Sequence, residues 1–267
     1  MAFTFSHPAA VLPIARVLAR WRLLSAVVIG SMVPDFGWVS PWELTRAETH
    51  SAKALLTFCL PVGLAAYWMF QCTIKTPLVE LLPPGAYARF RDFALPARVG
   101  DLKQWPLAAG GVLFGAITHL VWDAFTHEGA RGIRLIPELS DPMVQIGGRH
   151  LAGAQLFEDA SSVIGLLVVL AVLVYALRPG QPADANAQRR LSRHERRTWL
   201  AAYLLVAAAL SGVFFLIKRH GAPHIPGVFL HVSDSAISIL QGTLAALLLV
   251  SLGLEARLRM RPGRRGP

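Results

Sequence analysis

Five long apolar stretches dominate the hydrophobic pattern of this chain, and polar segments separate them. Each is close to the roughly 20 residues that a helix needs to cross a bilayer. Among the five, only the second contains acidic, basic or histidine residues, namely His119 and Asp123. The pattern predicts an all-α, polytopic membrane helix bundle with five transmembrane helices, forming one integral membrane domain over residues 1–267. The stretches are Ala54–Ile74, Trp105–Phe125, Ala160–Leu177, Thr198–Ile217 and Ser235–Leu254.

Two shorter apolar segments, His7–Leu18 and Leu23–Val33, precede the first long stretch. Arg16, Arg20 and Arg22 lie around the bend between them. Each segment is too short to cross a bilayer in the usual way, so together they predict an N-terminal re-entrant helical hairpin. Non-helical backbone at membrane depth is stable only when it is buried in protein or lines a cavity. The alternative is a single short span that begins at Arg22.

The charge of the chain supports a membrane location. Only 16% of the residues are charged and 54% are hydrophobic, whereas a soluble domain carries about 25% charged residues. This composition argues against an ordinary soluble enzyme, and it excludes a disordered chain, which is poor in hydrophobic residues. The net charge is +10. The basic residues form no stripe with interleaved aromatic residues, so no nucleic-acid partner is expected. Membrane lipids are the expected partners.

The basic residues also indicate an orientation. They are concentrated in the segments 75–104 and 178–197 and in the tail after Leu254, whereas the alternate segments 128–159 and 218–234 are poorer in them. Loops rich in Lys and Arg stay on the cytoplasmic side. The alternation therefore predicts a multi-pass protein with a cytoplasmic C-terminus.

Three residues of types that bind metal ions recur at helical spacing around the end of the second long stretch. His119, Asp123 and His127 are spaced by four residues, which places them along one helix face. Imidazole nitrogens and carboxylates are ligands for zinc, manganese and iron. The three extend over about 12 Å, so one ion is not expected to bind all of them. Two neighbours with ligands from elsewhere, or two ions about 3.5–4 Å apart, would fit better.

Further residues of the ligand type lie at the ends of apolar segments, and the charge pattern places them on the same outer face. They are His7, Asp35 and His50. With the repeat above, they predict a site for one or two divalent metal ions, most simply zinc, near the outer membrane–water interface. The alternative is a hydrogen-bonded network or proton relay, because ionisable groups inside a span also mark transporters.

Two acidic residues, Glu158 and Asp159, open the third long stretch. They could orient a ligand imidazole, or Asp159 could act as the general base toward a metal-bound water. Asp123 is the other candidate base. The alternative is that the two acids only stabilise the positive end of a helix dipole.

A resemblance to known families is carried by four short segments, Phe3–Ala10, Gly30–Phe36, Thr49–Ser51 and Thr118–His127. Through these segments the chain resembles the bacterial domain-of-unknown-function family 4184, over roughly its whole length and most strongly over residues 3–165. It is more distantly similar to the inner-membrane metal-dependent hydrolase family (YdjM-like). That likeness implies a bacterial inner-membrane location and His7, Asp35, His50, His119 and Asp123 as metal ligands, with His127 as a sixth.

These observations favour a metal-dependent hydrolase that acts on an ester or phosphoester of a lipid or envelope substrate. Residues 1–165 would form the metal-site half, and residues 166–267 would supply supporting helices. Two alternatives stay open. One is a transporter or proton-relay channel that uses the same His and Asp residues, and the other is a structural membrane protein.

Overall fold

The computed structural model describes most of the chain. It covers residues 4–39, 44–94, 103–127, 130–140, 142–146, 149–178, 191–221 and 228–260. Most of the basic segment 178–197 and the tail after Met260 lie outside these described residues, so the predicted orientation stays a prediction.

The N-terminal segment forms a short helical hairpin. Two 3-10 turns, Thr4–Ala10 and Leu12–Ile14, lead into α1 (Ala15–Arg20), and α2 (Leu24–Gly30) follows. The chain reverses at Arg22, whose φ of 58° lies in the left-handed region. Buried Val11, Leu18 and Val27 form the small apolar core of this hairpin. The predicted helical hairpin is confirmed with its bend among the arginines, while its depth in the membrane stays a prediction.

Two short elements connect the hairpin to the first long helix. A 3-10 segment, Val33–Val39, contains Pro34 at its second position, and α3 (Arg46–His50) follows. A capping box starts α3, because the Glu48 carboxylate accepts a hydrogen bond from the Thr45 backbone N–H at 2.8 Å. These elements place Asp35 and His50 close to the beginning of the next helix.

Three helices follow in sequence, α4 (Leu55–Leu81), α5 (Pro84–Ala94) and α6 (Gln104–Thr126). Within α4, the α-helical segments Leu60–Met69 and Lys75–Leu81 adjoin two π-helical turns, Leu55–Cys59 and Phe70–Ile74. Turns of this kind occur frequently at functional sites in helices. The first one begins five residues after His50.

A β-hairpin lies between α6 and the next long helix, and the sequence pattern did not predict it. Its strands are β1 (Pro142–Ile146) and β2 (Arg149–Ala152), and they pair antiparallel. Strands this short carry too few alternating positions to be distinguished from a polar loop. The fold of the described residues is otherwise all-α.

Three long helices complete the chain, α7 (Gly153–Leu177), α8 (Arg193–Gly221) and α9 (Val228–Met260). Within the described residues, five helices are long and apolar enough to cross a membrane, which confirms the five predicted spans with wider bounds. They are Leu55–Leu81, Gln104–Thr126, Gly153–Leu177, Arg193–Ile217 and Ser235–Met260.

The chain divides into two compact units. The first comprises Met1–Trp68 and Arg98–Tyr175, and the second comprises Met69–Ala97 and Ala176–Pro267. All candidate metal ligands belong to the first unit. The interpretation as a single integral membrane domain is not tested by this division and stays a prediction.

Close packing of α2 on α6 organises the first unit. A Cβ atom on Gly115 would lie only 2.1 Å from the backbone oxygen of Val27, and one on Gly30 would lie 2.2 Å from that of Val112. Only glycine allows two helix backbones to approach so closely. The contact brings the end of α2 beside His119, which lies one turn beyond Gly115 on α6.

Candidate metal centre

The centre of the site is Asp123, which lies near the C-terminal end of α6. His119 precedes it by one helical turn, and both side chains point into the protein, with 1% of His119 and 4% of Asp123 exposed. The 3-10 segment Val33–Val39 contributes Asp35, and α3 contributes His50. The buried position of these groups requires polar partners or an ion, because an isolated buried charge is very costly.

Four ligand-type atoms face one another across a small space. The His50 Nε2 atom lies 3.3 Å from Asp35 Oδ1 and 3.6 Å from Asp123 Oδ2. The His119 Nε2 atom lies 3.6 Å from each of the same two oxygens. Two nitrogens and two oxygens therefore alternate around this space, although Asp35 and Asp123 do not fall in one group of mutually close ligand atoms.

These separations match the edges of a metal coordination polyhedron. A tetrahedral ion with ligands at about 2.0–2.1 Å holds its ligand atoms about 3.3–3.4 Å apart. Hydrogen bonds between an imidazole and a carboxylate are shorter, about 2.7–2.9 Å. Only the His50–Asp35 pair comes within hydrogen-bonding distance among these four groups, so direct bonding does not explain their spacing.

Neighbouring groups orient both imidazoles with Nε2 toward this space. The Nδ1 atom of His119 lies 2.8 Å from the backbone oxygen of Ser31. A carbonyl oxygen only accepts, so Nδ1–H donates, and in the neutral ring the lone pair is then on Nε2. The Nδ1 atom of His50 lies 2.7 Å from the Thr49 hydroxyl oxygen. Metal-bound histidines typically donate their other ring N–H to such a partner.

Asp35 is held in its ionised form by its surroundings. Burial alone would raise the pKa of its carboxyl, but the hydrogen bond with His50 and the adjacent His119 outweigh burial and lower it. A hydrogen bond from Thr4 acts in the same direction. An ionised carboxylate is the form that binds a cation.

His7 is the next residue of the ligand type, and it contacts the ring of His119. Its ring stacks on the His119 ring with centroids 3.7 Å apart and makes an edge contact with Trp122 at 5.6 Å. Its Nε2 atom lies 3.8 Å from Asp123 Oδ1, and 1% of the residue is exposed. Burial, assisted by His119, lowers the pKa of His7 to about 4. At neutral pH the ring is therefore uncharged and able to bind a metal.

Several buried ligand atoms have no hydrogen-bonding partner among the described residues. Unpartnered buried polar atoms are rare in proteins, and each requires an explanation such as an unseen ion or water. Their concentration around Asp123 indicates a site built to receive a polar group. They include both ring nitrogens of His7, Asp35 Oδ2, His119 Nε2 and Asp123 Oδ1.

His127 and Glu158 extend the site beyond Asp123. The Nδ1 atom of His127 lies 3.6 Å from Asp123 Oδ1, and its Nε2 atom lies 3.9 Å from Glu158 Oε1. Burial lowers the pKa of His127, and Asp123 only partly opposes this. The buried carboxylate next to His127 is that of Glu158, whereas Asp159 is exposed. The geometry therefore favours Glu158 over Asp159, the residue that the sequence suggested as a base.

Arg46 is a member of the site that the sequence pattern did not single out. Its Nη2 atom donates a hydrogen bond to Asp123 Oδ2 at 2.6 Å, and 42% of its side chain is exposed. Arg46 precedes His50 by four residues, so the two share one face of α3. That spacing from a candidate ligand was the signal in the sequence.

The structure brings five of the six predicted ligands into two overlapping groups. One group contains His7, His119 and Asp123, and the other contains Asp35, His50 and His119, with the ligand atoms of each group within 4.8 Å of one another. His127 belongs to neither group and approaches only the Oδ1 side of Asp123. The function of all six as metal ligands stays a prediction. We call His7, Asp35, His50, His119 and Asp123 the His/Asp cluster.

The comparisons with known proteins identify a family and no activity. The family described as a domain of unknown function, DUF4184, matches residues 1–252. The chain therefore belongs to this family, as the resemblance of its sequence motifs implied. No curated protein and no solved structure matches it.

Proposed function

We propose that this member of the DUF4184 family binds a divalent metal ion, zinc by preference, through Asp35, His50, His119 and Asp123. The ion would serve the hydrolysis of an ester or phosphoester in a lipid or envelope substrate. The observation that carries the proposal is the set of four facing atoms, separated by 3.3–3.6 Å. Two imidazoles and two carboxylates are a donor set suited to zinc.

The position of the cluster supports a substrate at a membrane boundary. His50 lies just before α4 begins, Asp123 lies close to the end of α6, and Glu158 lies in the second turn of α7. All three helices are candidate membrane spans, so the site occupies the ends of spans and not their middle. Together with the charge pattern of the sequence, this favours the outer face of the bacterial inner membrane.

A divalent ion would supply Lewis acidity and would lower the pKa of a coordinated water toward about 7. The protein's own groups have separate tasks. Ser31 and Thr49 hold the two imidazoles in place, and Arg46 neutralises part of the negative charge of Asp123. Because Asp123 is already bonded to Arg46, Glu158 with His127 replaces Asp123 and Asp159 as the candidate for accepting a proton.

The overall reaction would add water across the ester bond. The water oxygen attacks the carbonyl carbon or the phosphorus, the bond to the ester oxygen breaks, and a proton passes to the departing oxygen. Exposed Arg46 lies where an anionic headgroup would approach, since its guanidinium retains donors that do not contact Asp123. A phosphate-containing substrate is consistent with this.

Metal analysis of the full-length protein in detergent tests the proposal. After loading with zinc and dialysis, the wild type is expected to retain zinc, and His119→Ala and Asp123→Ala are expected to lose it. His194→Ala is the matched control because His194 is exposed in the second unit. Equal zinc content in wild type and in the two cluster variants would contradict the metal site and would favour a relay or structural role.

The hydrolytic part requires its own assay. Zinc-loaded protein is incubated with vesicles of mixed phospholipids, and the release of phosphate-bearing headgroups or fatty acids is measured with and without chelator. We expect release that depends on zinc and is lost in His119→Ala. Retained metal without any release would contradict hydrolysis of these lipids and leave metal binding intact.

A further inference from the structure

The turn that joins α1 to α2 in the N-terminal hairpin has the hydrogen bonds of a Schellman motif. The backbone N–H of Leu23 donates to the Leu18 carbonyl oxygen at 2.8 Å, and that of Arg22 donates to the Ala19 carbonyl oxygen at 3.0 Å. Such a motif has one residue in the left-handed region, and that residue is usually glycine. Here it is Arg22, with a φ of 58°. We call residues 16–22 the hairpin tip.

The backbone strain at Arg22 indicates a use for its side chain. A left-handed conformation is unfavourable for a residue with a Cβ atom, whereas glycine adopts it readily. The side chain is exposed and has no hydrogen bond or ion pair with any described residue. Strain of this kind persists at sites where the residue has a function. Since no contact within the described protein uses the guanidinium, a partner outside the chain is the explanation we pursue.

Two more arginines make the hairpin tip strongly positive. Arg16 and Arg20 are exposed and lie one turn apart, on one face of α1. Neither forms an ion pair with a described residue, and the first acidic residue in the sequence is Asp35. The tip therefore presents three exposed positive charges that no neighbouring acid neutralises by direct contact.

Exposed apolar side chains accompany these charges. Trp21 has 67% of its surface exposed, and Val17 and Ile14 are exposed as well. Val17 and Trp21 are four residues apart, so they share a face of α1 next to the face of Arg16 and Arg20. Arginines beside exposed tryptophan and aliphatic side chains are typical of segments that lie in the headgroup region of a bilayer. The combination fits a lipid better than it fits a small anion in water.

The hairpin tip and the His/Asp cluster lie toward opposite ends of α6. The chain of α2 runs along α6 from Ala26, which faces Gly111, to Ser31, whose carbonyl oxygen meets His119. Along the helix axis, Gly111 and His119 are about 12 Å apart. Arg22 precedes Ala26 by four residues, so the tip lies beyond Gly111 on the side away from His119. It is directed toward the end at which α6 begins.

We propose that the hairpin tip binds the phosphate of an anionic phospholipid in the cytoplasmic leaflet through Arg16, Arg20 and Arg22. The basic segment before α6 is predicted to be cytoplasmic, and the tip is directed toward that end of the helix. The negative surface potential of the cytoplasmic leaflet attracts basic groups, and a guanidinium can donate two hydrogen bonds to one phosphate. Trp21 lies at headgroup level beside it. This site goes beyond the proposed hydrolysis and does not depend on a metal ion.

Lipid titration of the full-length protein in a non-ionic detergent tests the proposal. Phosphatidylglycerol or phosphatidylcholine with the same acyl chains is added in the presence of chelator, and native mass spectrometry measures the lipid bound per chain. We expect the wild type to bind phosphatidylglycerol more tightly. Arg22→Gly should weaken that binding about fivefold, and Arg16→Gln with Arg20→Gln on the order of 25-fold. Equal binding of the two lipids by the wild type would overturn the proposal.

The Arg22→Gly variant separates lipid binding from folding. Glycine adopts a positive φ without strain, so the variant should keep the turn and unfold at about the wild-type temperature when no lipid is added. A ligand that binds only the folded state stabilises it. Phosphatidylglycerol should therefore raise the unfolding temperature of the wild type more than that of the variant. An equal rise in both proteins would contradict the role of Arg22.

Two exposed arginines at the other end of the first unit provide a matched control. Arg131 and Arg134 follow α6 on the side of the His/Asp cluster, and neither side chain has an ion pair among the described residues. Replacing both with glutamine removes the same charge as the double variant at the tip, but it should leave phosphatidylglycerol binding unchanged. A loss as large as that of the tip variant would show that total charge controls binding, and it would overturn the assignment to the tip.

Zinc analysis distinguishes failure of this site from failure of the metal site. The tip variants should retain the zinc content of the wild type, whatever that content is. Conversely, His119→Ala should bind phosphatidylglycerol as the wild type does, because the lipid titration is performed in chelator. A loss of lipid binding in His119→Ala that equals the loss in the tip variants would overturn the assignment to the tip and leave the metal proposal unaffected.

Discussion

Each compact unit contains a buried set of polar residues, and the two sets differ in how their polar atoms are arranged. In the second unit, the Lys75 ammonium donates a hydrogen bond to the Gln71 side chain at 3.0 Å and lies 4.4 Å from the centre of the Phe93 ring. In the first unit, the His/Asp cluster holds its groups 3.3–3.8 Å apart and leaves several atoms without a hydrogen-bonding partner among the described residues. The side chains of both sets are buried, but the distances between their polar atoms differ.

The difference teaches that burial of polar groups does not by itself indicate a site. Lys75 and Gln71 are spaced by four residues on one helix, so they meet within α4 and bond to each other directly. The members of the His/Asp cluster come from four separate elements. Apart from the His50–Asp35 hydrogen bond, the nitrogen–oxygen distances between them exceed hydrogen-bonding distance. The proposed ion would account for groups held at these distances, whereas Lys75 and Gln71 satisfy each other by direct contact.

Removing one carboxylate from each unit is expected to give the largest difference in zinc binding between the two units. Asp35→Asn should weaken zinc binding by more than the roughly 10–100-fold loss typical of residues behind the ligands, because it removes a ligand charge. Glu80→Gln, the matched change of a buried acid in the second unit, should leave zinc affinity unchanged. Competition with a chelator of known affinity measures both, and similar effects in the two variants would abolish the distinction.

The pH dependence of the metal-free protein gives the next largest effect. His7 has its pKa lowered from about 6.5 to about 4, so between these values the unfolded chain binds a proton that the folded chain does not. Stability is then highest above pH 6.5 and decreases as the pH falls toward 4, by on the order of 3 kcal/mol. Thermal unfolding in chelator measures it, with a flatter profile expected for His7→Gln. An unchanged slope in that variant would show that other groups cause the decrease.

A smaller effect is expected from the hydroxyl behind His50. Thr49→Val removes the oxygen that contacts His50 Nδ1, and it should weaken zinc binding by about 10–100-fold. Thr57→Val is the control, since the Thr57 hydroxyl is exposed and donates a hydrogen bond to the backbone oxygen of Lys53 at 3.1 Å. If both variants bind zinc as the wild type does, Thr49 does not orient the ligand.

A substitution in the second unit is expected to have the smallest effect on zinc binding. Lys75→Met removes the bond to Gln71 and leaves that buried amide with one partner fewer, at a cost of about 1 kcal/mol. Zinc content should not change. Thermal unfolding and metal analysis on the same preparation measure the two quantities, and a loss of zinc would mean that Lys75 affects the metal centre.

The sequence was sufficient for the features that local composition controls. Five apolar stretches of sufficient length became five helices because a long apolar segment has few other stable arrangements. The His119–Asp123 spacing was also readable, since helical geometry alone puts residues four apart on one face. The short β-hairpin was not readable, because its few alternating residues resemble a polar loop.

The roles of Glu158, Arg46 and the two oxygens of Asp123 depend on the tertiary structure alone. Glu158 and Asp159 are adjacent in the sequence, and only the rotation of α7 decides which one is buried beside His127. Likewise, the approach of α2 to α6 through Gly30 and Gly115 sets the distance between His119 and Ser31. Residue spacing along a chain limits which groups can share a helix face, whereas distances between elements follow from packing, which no local pattern contains.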